Sequence, residues 1–239
     1  MILLFPWAIS QFGSHLVNLA ADVCKSASVP ISLHLDHCLE VEMVKFAASL
    51  PFDSIMVDMS HYEKEENLRL TKELTAYCHE RGIATEAEPG RIEGGEDGLK
   101  DTADLEAILT TPEQALEFVA TGIDFLAPAF GNIHGEYGIK GPRGWLEFDR
   151  LEKVRKAVEG KVKIVLHGTN AFDQPLFQEC VKHGISKINV NKQLIDPWKA
   201  MMEKRQGFLP ITKLMEDSMA VFQKEVERLM NECGSSGKA

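Results

Sequence analysis

Ile31-Ser-Leu-His-Leu-Asp36-His37 reads as a β-strand that finishes in a carboxylate and an imidazole, and this kind of ending returns along the chain. Working outward from it, the candidate strands are Met1–Ala8, Ile31–Asp36, Ser54–Met59, Ala84–Glu88, Phe125–Phe130, Lys163–His167 and Lys187–Asn191. They read as continuous apolar runs rather than alternating ones, which suits parallel strands covered on both faces. Amphipathic stretches lie between them. Leu70, Leu74 and Tyr77/Cys78 form one stripe, Leu151, Val154 and Val158 a second, and Leu176, Cys180 and Val181 a third. Ser14–Ala27 and Thr111–Thr121 also read as helices, the latter with Pro112 in its first turn. Strand and helix alternate with no linker or change of composition, which predicts one α/β domain over residues 1–239.

The strand endings decide between a doubly wound open sheet and a (β/α)8 barrel. They are His34-Leu-Asp36-His37, Met56-Val-Asp58-Met-Ser60, Glu86-Ala-Glu88, Gly131-Asn132-Ile-His134-Gly135, Leu166-His167-Gly168 and Asn189-Val-Asn191. An open sheet gathers its chemistry at one switch point, whereas a barrel draws on most of its strand ends. A barrel is therefore expected. It needs eight strands and seven are visible, so a first βα unit is expected to be missing and the domain N-terminally incomplete. Thr212–Cys233 carries Met215, Met219, Phe222, Val226 and Leu229 at alternating spacings of four and three. That predicts an extra C-terminal helix, packed on the barrel exterior or forming a subunit contact.

A formal net charge of −10 argues against a nucleic-acid partner, which calls for basic clustering. Cys24, Cys38, Cys78, Cys180 and Cys233 are odd in number and include no CxxC pair, as free thiols in a reducing compartment would be. The apolar start Met1–Ala8 is too short to span a membrane and lacks the marks of a secretory signal. A cytoplasmic protein with no membrane partner is expected.

His37, His134 and His167 each stand at the end of a different strand and can converge on one metal. Three neutral imidazoles suit Zn²⁺ and leave a fourth position for substrate. Asp36 beside such a dication stays ionised. Glu88 and Asp58 read as supporting groups, as ligands of an alternative metal position, or as interior ion pairs. His34 reads as a core or supporting group. His15, His61, His79 and His183 read as surface residues. The glycine-rich, acidic stretch from Pro89 to Gly98 suits a mobile loop bringing a carboxylate to the site, and equally an ordinary solvated loop.

In order, His34-Leu-Asp-His37, Ser54-Ile-Met-Val-Asp58-Met-Ser60, Glu86-Ala-Glu88 with Gly94-Gly-Glu96-Asp97, Gly131-Asn-Ile-His134-Gly, Val165-Leu-His167-Gly and Lys187-Ile-Asn189-Val-Asn191 resemble the class II fructose-bisphosphate aldolases and the similar tagatose-bisphosphate aldolases. The likeness runs the length of the chain. It implies zinc-dependent, reversible cleavage of a ketose 1,6-bisphosphate to dihydroxyacetone phosphate and an aldehyde phosphate, with zinc stabilising the enediolate as a Lewis acid. It implies zinc ligation by His37, His134 and His167, with Glu88 and nearby Asp58 at the alternative metal position. Asp36 matches the acid/base for the C4 hydroxyl proton, and Glu96 the loop carboxylate for the dihydroxyacetone phosphate carbon. Asn189 matches a substrate contact. Gly135, Gly168, Asn170, Asn191, Lys192 and Lys140 fall where substrate and phosphate are held. A monovalent cation and a homodimer or higher homo-oligomer are implied as well.

The phosphate region departs from the family pattern. Gly168-Thr169-Asn170-Ala171-Phe172 lacks the serine and one glycine of the usual run, and Lys192-Gln193 replaces the usual threonine and acidic residue. Tyr137-Gly-Ile-Lys140-Gly141 is longer than the usual Tyr-Lys-Gly. The alternative to an enzyme is a catalytically silent barrel that binds zinc or phosphate in a regulatory or scaffolding role. The presence of both Asp36 and Glu96 favours the enzyme.

Overall fold

The protein is described by a computed structural model over residues 1–94 and 108–238. Its strands are β1 (Ile2–Leu4), β2 (Leu33–Cys38), β3 (Ser54–Val57), β4 (Ala84–Ala87), β5 (Phe125–Leu126), β6 (Lys163–Leu166) and β7 (Ile185–Ile188). They form one sheet in sequence order, and every neighbouring pair is parallel. The sheet is curled, as in a TIM-like barrel. No pairing between β7 and β1 is present among the described residues.

The connecting helices are α1 (Pro6–Phe12), α2 (Ser14–Ser26), α3 (Val41–Ala47), α4 (Lys64–His79), α5 (Pro112–Val119), α6 (Phe148–Val158), α7 (Gln174–Lys182), α8 (Lys192–Arg205) and α9 (Ile211–Glu232). The first strand stops at Leu4 rather than continuing to Ala8, because Pro6 cannot donate to a ladder and instead opens α1. α5 begins where expected, with Thr111 and Gln114 closing a reciprocal capping box. Periodicity passes over α1, α3 and α8. The first two have seven residues each, and α8 has no buried residue and hence no apolar stripe.

The interior differs from the expectation of continuously apolar strands. In β2, Leu33 and Leu35 lie under the helices with Ile55, Val57 and Leu74, while His34 and Asp36 face the other way. A second outer cluster joins Phe118, Leu126, Leu151, Leu166 and Phe177. Each such Leu or Phe contributes about 1.5–3 kcal/mol on burial, so these outer layers hold the fold together. Inside the curl the apolar cluster is small, with Met56, Ala127 and Val165 packed by Phe125. The remaining interior positions carry polar side chains that must find one another.

The C-terminal helix packs on the exterior of the curled sheet over part of its length. Leu229 joins the outer cluster with Cys233, whereas Met215 and Met219 are 47% and 58% exposed. All five cysteines are free thiols, four of them buried. Among the described residues no helix is long and apolar enough to cross a membrane.

Candidate metal centre

Successive side chains in a regular strand point to opposite faces, so Asp36 and His37 ought not to share a cavity. A bulge lets them. The β2–β3 register shifts between Leu35 and Cys38, and His37 takes a φ of +46°. That conformation costs roughly 1–3 kcal/mol for a residue with a Cβ and persists where the surroundings impose it. Asp36 and His37 then line one pocket with His167 and Gly168 from the end of β6 and Asn189 and Asn191 after β7. His134 enters from the segment after β5, its ring centroid 4.9 Å from that of His37 and 5.8 Å from that of His167.

One ring nitrogen from each of His37, His134 and His167 lies within 4.8 Å of the others. Carboxylates set the tautomers. His37 Nδ1 is 2.7 Å from Asp58 Oδ2, and Asp58 Oδ1 accepts from the Ser60 hydroxyl and amide. His167 Nε2 is 2.8 Å from Glu86 Oε1. An ionised carboxylate only accepts, so those two nitrogens carry the hydrogens. With His37 neutral, its Nε2 and His167 Nδ1 turn lone pairs on each other at 3.0 Å; with His37 protonated, its Nε2–H donates to His167 Nδ1. A proton holds that contact together in the metal-free site, and a metal ion bound there would take its place. A tetrahedral zinc with ordinary Zn–N bonds spaces its nitrogen ligands about 3.3 Å apart. The donor set therefore fits zinc, with Asp58 and Glu86 as the carboxylates that orient the ligands.

The electrostatics agree. Burial alone would lower the His37 pKa, but Asp36, Asp58 and Glu88 outweigh it and push it up to about 10. The metal-free pocket thus draws in a positive charge. His134 is held well below its ordinary value by burial and then by His37 and His167. Burial opposes ionisation of Asp36, Asp58 and Glu86, yet their cationic neighbours prevail. Asp36 ends well below the usual carboxylate range, and Asp58 and Glu86 come down to about 2. Glu88 goes the other way, raised by burial and by the nearby Asp58. It groups with His37 and Asp58 rather than with the three histidines, and its Oε1 accepts from the Ile92 amide at 2.6 Å.

The segments bearing the histidines are fastened together. Asn132 Nδ2 donates to the His167 carbonyl at 3.1 Å. The Tyr137 hydroxyl donates to the Gly168 carbonyl at 2.6 Å and accepts from the Ile133 amide at 3.1 Å. The His134 amide donates to the Glu93 carbonyl at 2.7 Å, so the chain approaching residue 95 is tied to the site. Glu96 itself lies outside the described residues.

Of the other expected residues, Asn189 Nδ2 contacts both oxygens of Asp36, at 2.9 and 3.0 Å. Asn170 Nδ2 donates to the Gly135 carbonyl at 2.8 Å. Ala171 takes a positive φ of +58°, a conformation that glycine adopts more cheaply. Lys192 pairs with Glu136. Lys140 is exposed, 5.7 Å from the centroid of the Trp145 ring. His34 is fully buried against Ser54, His15 and His79 are exposed, and His61 and His183 are half-buried. Sequence reasoning passed over Glu86 as the partner of His167, and with it Lys187, 2.6 Å from Glu86 Oε2. The signal was the strand period: Glu86 and Lys187 stand two residues before Glu88 and Asn189, on the same interior face.

Comparison with known proteins points the same way. The family described as "Fructose-bisphosphate aldolase class-II" matches residues 1–238. A "Putative fructose-bisphosphate aldolase" of Coccidioides immitis (strain RS) is 54% identical over 100% of this chain and 81% of its own length. A C. immitis crystal structure bearing the same kind of name superposes with a TM-score of 0.96 at 56% identity, covering 100% of this chain and 83% of that one. The 6-phospho-5-dehydro-2-deoxy-D-gluconate aldolase of Shouchella clausii (strain KSM-K16) is 34% identical over 89% of this chain and 71% of its own length.

Proposed function

Because the chain belongs to the class II fructose-bisphosphate aldolase family, and is thus a carbon–carbon lyase, we propose that it cleaves a ketose 1,6-bisphosphate of the fructose or tagatose type, reversibly and with zinc. The products are dihydroxyacetone phosphate and an aldehyde phosphate. The observation that carries this reading is the pair of imidazole nitrogens 3.0 Å apart, each ring aimed by its own carboxylate, with His134 and Asp36 alongside.

His37, His134 and His167 would hold the zinc, which would supply Lewis-acid stabilisation of negative charge developing on the substrate. Everything else falls to the chain. Asp36, ionised and held by the Asn189 amide, takes the proton of the C4 hydroxyl as the C3–C4 bond breaks. Glu96 handles the proton on the dihydroxyacetone phosphate carbon. Asn189, Gly135, Gly168, Asn170 and Asn191 receive the sugar and its phosphates. Lys192 exchanges Glu136 for a phosphate, and Lys140 adds positive charge at the rim. The test is release of dihydroxyacetone phosphate from fructose and tagatose 1,6-bisphosphates before and after EDTA. Cleavage should vanish on chelation and return with zinc. Failure of zinc-loaded protein on both sugars would count against the reading.

The raised pKa of His37 gives a second test. Below about pH 10 the metal-free imidazole carries a proton that zinc must displace, so apparent affinity should rise about tenfold per pH unit through neutrality. Chelator competition between pH 6 and 9 measures this, and a flat profile would argue against His37 as a ligand.

The exposed Met215 and Met219 on α9 support a homodimer through that helix. Light scattering should give twice the chain mass for the wild type and less for Met219→Lys. A wild-type monomer would refute it.

A further inference from the structure

Beneath the three histidines the interior of the sheet holds another group with ligand chemistry. His34, Asp36 and Glu86 offer donor atoms within 4.8 Å of one another, all buried. His34 Nε2 stands 3.7 Å from Asp36 Oδ1 and 3.8 Å from Glu86 Oε2. A cation already sits among them. Lys187 Nζ reaches across from β7 to within 2.6 Å of Glu86 Oε2 and 3.3 Å of His34 Nε2. An ammonium can only donate, so His34 Nε2 presents a lone pair, and its Nδ1–H faces Ser54 Oγ at 2.7 Å. An imidazole lone pair and two carboxylates thus surround a positive charge that the chain itself supplies.

We propose that Lys187 fills a cation site that would otherwise take a second divalent metal ion, and so confines the protein to one metal centre. One imidazole and two carboxylates are ligands that zinc accepts. The His34 contacts exceed the roughly 3.3 Å spacing of tetrahedral ligands by only a few tenths of an ångström, a closure that side chains can make. Two buried carboxylates beside a neutral imidazole need compensation, and without the ammonium a metal ion competes with protons to supply it. The assignment also explains how Glu86 does two jobs: one oxygen holds Lys187 while the other orients His167. This inference extends the zinc reading above, and its test is a difference between variants, so the two can fail separately.

Wild type, Lys187→Met and Lys187→Arg would be loaded with excess Zn²⁺, gel-filtered, and analysed for metal per chain. The Met variant should carry one equivalent more than the wild type, and the Arg variant no more than the wild type. Wild type with no zinc would count against the three-histidine centre alone, whereas equal contents in wild type and the Met variant would overturn the present proposal. Should the Met variant be poorly folded, added zinc should restore it, with a Tm that climbs more steeply with zinc than that of the wild type. A variant left unfolded by millimolar zinc would overturn the proposal too. Adding His34→Gln to Lys187→Met should remove the extra equivalent and leave the first in place.

Discussion

Replacing Asp36 with alanine should leave zinc bound and lower kcat by about a thousandfold, within the range of roughly 10²–10⁴ that a positioned acid or base contributes. The split follows from the geometry. The three histidines keep their nitrogens and their orienting carboxylates when Asp36 goes, because His37 is aimed by Asp58 and His167 by Glu86. What is lost is the ionised carboxylate on the pocket wall and the acceptor for Asn189. His134→Ala should instead lose both metal and activity, since it removes a ligand candidate outright. Metal content by mass spectrometry and kcat on the preferred sugar measure the contrast. An Asp36→Ala enzyme with wild-type kcat would end its assignment as the proton-transfer group.

Gly168→Ala should cost about 2–4 kcal/mol of stability and at least tenfold in zinc affinity. Gly168 has a φ of +68°, already unfavourable for a side chain. A Cβ there would meet the Ile133 carbonyl oxygen at 2.4 Å, its carbon at 2.7 Å and its nitrogen at 2.9 Å. All three are backbone atoms, so no flexible tip can swing aside. Gly168 follows one zinc-ligand candidate and Ile133 precedes another, so separating them moves His167 from His134. The strain would also reach the Tyr137 hydroxyl, which bridges the same two residues. Gly135→Ala is the control: its φ is +124°, but the Cβ position has nothing within 4 Å. Urea denaturation with and without EDTA, and chelator competition, should separate the two variants. Equal behaviour would show that the close approach of backbone to backbone does not hold the histidines together.

What the sequence by itself determined is whatever depends on chain order and local chemistry. Parallel strands in succession follow from the alternation of β-rich and amphipathic stretches, and a site at their ends follows from the residues found there. The three histidines and Asp36 were legible because each lies at or just beyond the end of a strand run, and the three strand ends concerned meet at one rim. Tertiary structure decided what depends on neighbours remote in sequence. Glu86 joins His167 across 81 residues and Lys187 across 101, and no pattern along one strand says which side chains of another will face it. The turn of His37 into the pocket needed the β2–β3 register shift, a property of two strands together. The polar interior was hidden for the same reason. Asp36, Asp58 and Glu86 are tolerated there because each finds partners on another strand, and the pairing of Glu86 with His167 and Lys187 exists only once the sheet has curled.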